Sequence, residues 1–207
     1  MGTFCFGCSS SNNELLTITS DNQYKEILAR TQTMTEGPLK TFQETGAVPE
    51  STKGDLIESI KLFRSLTAYS PDKYALFLGE AKVHRALSDD KAAVQALNDA
   101  MAHAPTNPVN DPDKLTIAEI YGEMAAISLN ANEVDAAEGY VQKAISLSPK
   151  NVDYMAVEAG IRLQKKDVSG AKIVIDTGLK SEPNHTKLLL LKRLIEAEST
   201  ETKVEKK

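Results

Sequence analysis

Residues 118–151 read AEIYGEMAAISLNANEVDAAEGYVQKAISLSPKN, and the fold is decided by this stretch. Its first half carries a bulky residue, Tyr121, then apolar Met124 followed by small Ala125. Its second half carries Ala137, Val141 and Ala144 before closing on Pro149. Steps of three and four residues put each set on one face of a helix. Small side chains on facing helices let the axes approach closely, so the stretch predicts two antiparallel helices joined at Asn132.

The pattern recurs along the chain. Pro71 and Pro105 stand 34 residues apart, as do Pro149 and Pro183, while Pro105 and Pro149 are separated by 44. A shift of 34 from the quoted stretch lands on Ala159, Ala171, Ile175, Gly178 and Pro183. The segment from Tyr74 supplies Phe77, Ala81, Ala93, Leu97, Ala100 and Pro105. In both length and residue classes each unit resembles a tetratricopeptide repeat, with core repeats at 74–107, 118–151 and 152–185. That resemblance implies an all-α, right-handed superhelical stack of antiparallel helix pairs, an α-solenoid.

Outside these repeats the expectations are looser. GDLIESIKLFRSLTAYSPDK, residues 54–73, fits a further second helix through Ser59, Phe63, Leu66 and Pro71. Its partner is expected from Asp21, as N-cap, to about Thr35. Gly46 and Pro49 make residues 40–53 a poor helix and hence a long loop. The ten extra residues Pro108 to Ile117 (PVNDPDKLTI) predict a longer loop capped by Asp111 or Asp113, and the segment is a candidate contact because solenoid insertions cluster on one face. Ser88-Asp89, Asn132 and Lys166-Asp167 mark the other turns. Thr186 to about Glu198 predicts a C-terminal capping helix, closing a repeat domain of 21–198, with 199–207 a disordered polar tail.

Composition narrows the function classes. The net charge is -5, and Lys and Arg are scattered rather than striped, which argues against nucleic acid as a partner. Aromatics make up only 5% and Trp is absent, so a core of Ala, Leu, Ile and Val is expected. Both cysteines, Cys5 and Cys8, precede the repeats, so neither a disulfide within the fold nor a four-ligand zinc site is expected there. His84, His103 and His185 each stand alone, and no HExxH, GxSxG or Gly-rich phosphate loop occurs. The expectation is a chain that is not an enzyme and needs no cofactor or metal.

In the tetratricopeptide family the first helices of successive pairs line a concave groove. Carried onto this register, the groove positions are Leu78, Lys82 and Arg85, then Gly122, Ala126 and Leu129, then Ala156, Gly160 and Leu163. The face is expected to be basic at one end and small and apolar in the middle. Gly122 and Gly160 sit inside helices, where glycine costs about 1 kcal/mol relative to alanine, so each serves either close helix packing or room for a partner. The carboxylate clamp of cochaperone members is missing: Leu78 with Lys82, then Ala126, then Ala156 with Gly160 occupy its positions. The resemblance therefore implies a protein or peptide partner recognised by apolar surface and shape.

The first 20 residues are read as a lipidation or tether segment, or else as a disordered one. Gly7-Cys8 followed by three serines resembles the end of a bacterial lipoprotein signal, with Cys8 as the lipidated residue. The implied location is the bacterial cell envelope, anchored and facing the periplasm. Gly2 myristoylation with palmitoylation of Cys5 and Cys8 is an alternative two-signal anchor. A cytoplasmic scaffold or regulator with no membrane role is a further alternative.

Overall fold

The computed structural model describes residues 15–204, and side chains from 15 to 197. Among the described residues every regular element is a helix: α1 Asp21–Thr45, α2 Glu50–Tyr69, α3 Tyr74–Ala86, α4 Asp90–His103, α5 Asp111–Asn130, α6 Val134–Leu147, α7 Val152–Gln164, α8 Val168–Ser181 and α9 Thr186–Val204. Consecutive helices pack as pairs, α1 with α2, α3 with α4, α5 with α6 and α7 with α8, while α9 lies on α7 and α8.

The small residues of the repeat pattern lie in the seams. Ala93, Ala100, Ala137, Ala144 and Ala171 are fully buried, with Val141 and Ile175 between them. The turns inside the pairs share one geometry. Ser88, Asn132 and Lys166 take left-handed backbone with φ of 63°, 61° and 63°. A side chain at φ > 0 strains the backbone, and the same turn recurs at corresponding positions in three pairs. Asp89 and Asp167 then cap the following helices, accepting bonds from the backbone N–H of Ala92 and Gly170 at 3.1 and 2.8 Å.

Four expectations are corrected. Residues 40–53 are not a long loop: α1 runs through Gly37-Pro38 to Thr45, and only residues 46–49 separate it from α2. Pro38 costs one backbone bond, but its φ is compatible with a helix, and Gly46 at φ 75° ends α1 by donating its N–H to the Phe42 carbonyl. Ser20, not Asp21, is the N-cap of α1. The insertion 108–117 is mostly helix. α5 begins at Asp111, Asn110 rather than either aspartate caps it through the N–H of Asp113 at 2.8 Å, and Pro112 sits in the first turn, where its missing N–H is not needed. Tyr74 of α3 donates to Asp113 at 2.5 Å and ties this extension down. Finally, α9 continues to Val204, past Glu198, because no glycine or proline interrupts it.

Candidate functional site

α3, α5 and α7 turn successive faces toward one central cavity of about 710 Å³. Arg85 from α3, Ala126 and Leu129 from α5, and Ala156 and Gly160 from α7 all line it, each a residue the repeat register selects. Lys82 lies in an adjoining crevice with Glu119 and Glu123. The floor is small and apolar because these helices carry Ala and Gly where a larger side chain would fill the space. Val157 adds to it.

Three of the selected residues lie elsewhere or serve packing. Leu78 is 3% exposed and belongs to the core formed with α4 and α5. Gly122 borders the adjoining crevice but is buried beneath Tyr154: a Cβ there would stand 2.5 Å from the ring, so the glycine serves close helix packing. Leu163 packs into the cluster of Ala159, Ala171 and Ile195 and does not line the cavity. Gly160 is intermediate. It faces the cavity, and a Cβ there would meet only the tip of Leu129 at 3.0 Å.

The basic end is neutralised. Lys82 Nζ pairs with Glu119 at 2.9 Å, and Arg85 bonds Glu123 while its guanidinium sits 5.2 Å above the Phe42 ring. Both acids come from α5, one pair further along, so the charges hold neighbouring helices together. Lys187 at the opposite rim likewise meets Asp153 at 3.1 Å, with His185 at 3.4 Å. Burial works to raise the Asp153 pKa, but the Lys187 ammonium, with the His185 ring beside it, outweighs burial and holds the carboxyl below its ordinary value.

Sequence reasoning missed the two ends of the cavity. Phe42 of α1 and Gly46 just past its end form one wall, and Leu190, Leu191 and Leu194 of α9 form the other. Leu190 and Leu194 remain 56% and 52% exposed, although their neighbours Leu188 and Ile195 are buried against the preceding pairs. The signal was present in the run Leu188-Leu189-Leu190-Leu191, which is apolar around more than one face, whereas a helix that only caps needs one.

A buried polar network braces α2 and α3. Arg64 bonds Glu80 at 2.7 Å, and His84 Nε2 stands 3.5 Å from the same carboxylate oxygen without a properly directed hydrogen bond. Burial pushes the Glu80 pKa up. The His84 ring and the Arg64 guanidinium overcome that and leave it lowered. A lowered folded-state value means that Glu80 contributes stability above its unfolded pKa, about 4.3, and loses it as pH falls through the folded value. Glu80→Gln should therefore cost about 1–3 kcal/mol at pH 7. Denaturant titrations should show the difference from wild type shrinking below pH 4, and a difference that is constant with pH would refute this role.

Among the described residues no cluster of three or more His, Cys, Asp or Glu is placed to hold a metal, and no helix is long and apolar enough to cross a membrane. Cys8 lies outside the described residues. Compared with protein-family models and with curated proteins, the chain matches none.

Proposed function

We propose that this chain is a non-enzymatic adaptor of tetratricopeptide type, which holds an apolar segment of another protein in the cavity between α1, α5, α7 and α9. The single observation that carries the reading is convergence. Residues chosen by a 34-residue period, Ala126, Leu129, Ala156 and Gly160, line one apolar cavity that no side chain of the described residues fills. A cavity of this size bounded by half-exposed leucines suits several apolar side chains of a partner. The right-handed superhelical stacking of the pairs belongs to the same proposal, and the recurrent left-handed turns at Ser88, Asn132 and Lys166 support it.

The proposed setting is the periplasmic side of a bacterial envelope, with the chain anchored through lipid on Cys8 and assisting the assembly of a multiprotein complex. Gly7-Cys8 and the serines after it support this. In detergent phase separation the native gene product should enter the detergent phase, and Cys8→Ala should return it to the aqueous phase. A wild-type product that stays aqueous rejects the anchor and favours the cytoplasmic scaffold. The adaptor function is tested separately, by capture of a partner with wild type and with cavity-blocked variants.

A further inference from the structure

We infer that residues 38–55, the tip of the α1–α2 hairpin, form a hinged lid over the central cavity. The hairpin changes character along its length. Toward its base it is anchored: Thr31 and Thr35 of α1 are buried, Tyr69 donates to Asp21 at 2.8 Å, and Leu56, Ser59 and Leu62 of α2 are buried. From Pro38 to Asp55 no residue is fully buried. Leu39, Phe42 and Val48 are only partly covered, against the cluster containing Leu56, Phe63 and Val83.

Both strands of the hairpin weaken where that change occurs. Pro38 lacks an N–H, so the Met34 carbonyl has no helical donor, and Gly37 precedes it with open space around its Cα. Gly54 in α2 is equally uncrowded. The pairings of Asp21 with Tyr69 and Arg30 with Glu58 set the antiparallel register, which brings Gly37 within about one helical turn of Gly54. Two adjacent helices thus carry their weakest helical residues at one level, which is where a tip would pivot as a unit.

The tip reaches the cavity. Phe42 and Gly46 line it, Phe42 lies over Arg85, and Gln43 and Glu44 border a second, polar hollow with Asp153, His185 and Lys187. α1 accordingly touches both α3 and α9, spanning the opening between them. Raising the tip removes one wall of the cavity and frees Arg85 from Phe42. Phe42 is the latch, and the Gly37-Pro38 and Gly54 positions are the hinge. That the lid regulates access for a partner rests on the adaptor reading, whereas the hinge itself does not.

Amide hydrogen exchange on the full chain tests the lid without any partner. In wild type, amides of 39–55 should exchange through an opening that leaves 21–36 and 57–69 protected. Phe42→Ala should speed exchange in the tip by about tenfold, with little change in the base, because a cation–π contact and a partly buried ring are lost. Pro38→Ala with Gly54→Ala should slow the tip by about tenfold by restoring helix formers at the hinge. The dye 1-anilinonaphthalene-8-sulfonate should brighten more with Phe42→Ala than with wild type, and adding Leu194→Glu should remove that gain. Tip and base exchanging in step in wild type overturn the lid. If Phe42→Ala instead loosens the whole molecule, the double hinge variant decides, and an unchanged tip in that variant overturns it as well. A dye gain that survives Leu194→Glu separates the lid from the cavity and overturns that part.

Discussion

Ala137→Leu and Ala171→Leu each lower the unfolding free energy by about 1–3 kcal/mol, whereas Ala136→Leu, one residue away, changes it by no more than about 0.5 kcal/mol. The contrast follows from placement. Ala137 and Ala171 are fully buried in the seams of α5 with α6 and of α7 with α8, while Ala136 is exposed. All three are alanines inside helices, so intrinsic helix propensity favours none of the substitutions over another. The extra methylenes at 137 and 171 have to fit into clusters already filled from the facing helix, by Ala118 and Ala125 of α5 in one case and by Ala156 and Ala159 of α7 in the other. Chemical denaturation of the three variants measures the difference directly. Equal effects at 136 and 137 would mean that the face assigned to the seam is wrong.

Residues with this kind of requirement were legible in the sequence because the requirement is local and repeated. A small residue at each close approach and turn-forming residues inside each pair recur at corresponding positions of each unit, so three units reinforce one reading. α1 carries no such repetition. Gly37, Pro38, Gly46 and Pro49 look like the punctuation of a loop, yet the helix passes the first two and breaks only at the second pair. Five threonine hydroxyls, on Thr31, Thr33, Thr35, Thr41 and Thr45, donate to carbonyls one turn back along the same helix. Packing of Tyr24, Ile27 and Leu28 onto the α2–α3 cluster supplies what helix propensity lacks. Such tertiary support has no period and cannot be read from spacing.

The same limit explains which part of the cavity was foreseen. Ala126, Ala156 and Gly160 follow from the register of repeated first helices. Their walls come from α1 and α9, which lie outside the repeats, and the register says nothing about where those helices cross. The salt bridges were hidden for a related reason. Lys82 and Arg85 are 37 and 38 residues from their acids, Glu119 and Glu123, about one repeat plus part of the insertion, so each cation meets the next first helix rather than open groove. A charged face inferred one repeat at a time was therefore misread. The surface that the proposed partner would meet is mainly apolar.

Capture of a partner should accordingly respond to bulk and charge placed on that apolar floor and not to removal of the basic rim. Ala126 is half-buried, lines the cavity and sits inside α5, so Ala126→Arg keeps a good helix former while sending a long cation into the space. Leu194 is 52% exposed on the opposite wall, so Leu194→Glu costs the fold little. Each should weaken capture by about tenfold or more, because the partner's apolar groups would have to desolvate an unpaired charge. Ala156 is a poorer probe: it is 5% exposed, and arginine there forces α7 against its neighbours as well as blocking the cavity. Lys82→Ala, by contrast, removes a cation already paired with Glu119 and should leave capture nearly unchanged. Far-ultraviolet circular dichroism and thermal melts check that each variant is folded, and pull-down from a detergent lysate of the native cells reads binding. If a captured partner survives both Ala126→Arg and Leu194→Glu in folded protein, the cavity is not where it binds. If it is lost with Lys82→Ala instead, recognition is electrostatic and the apolar reading fails.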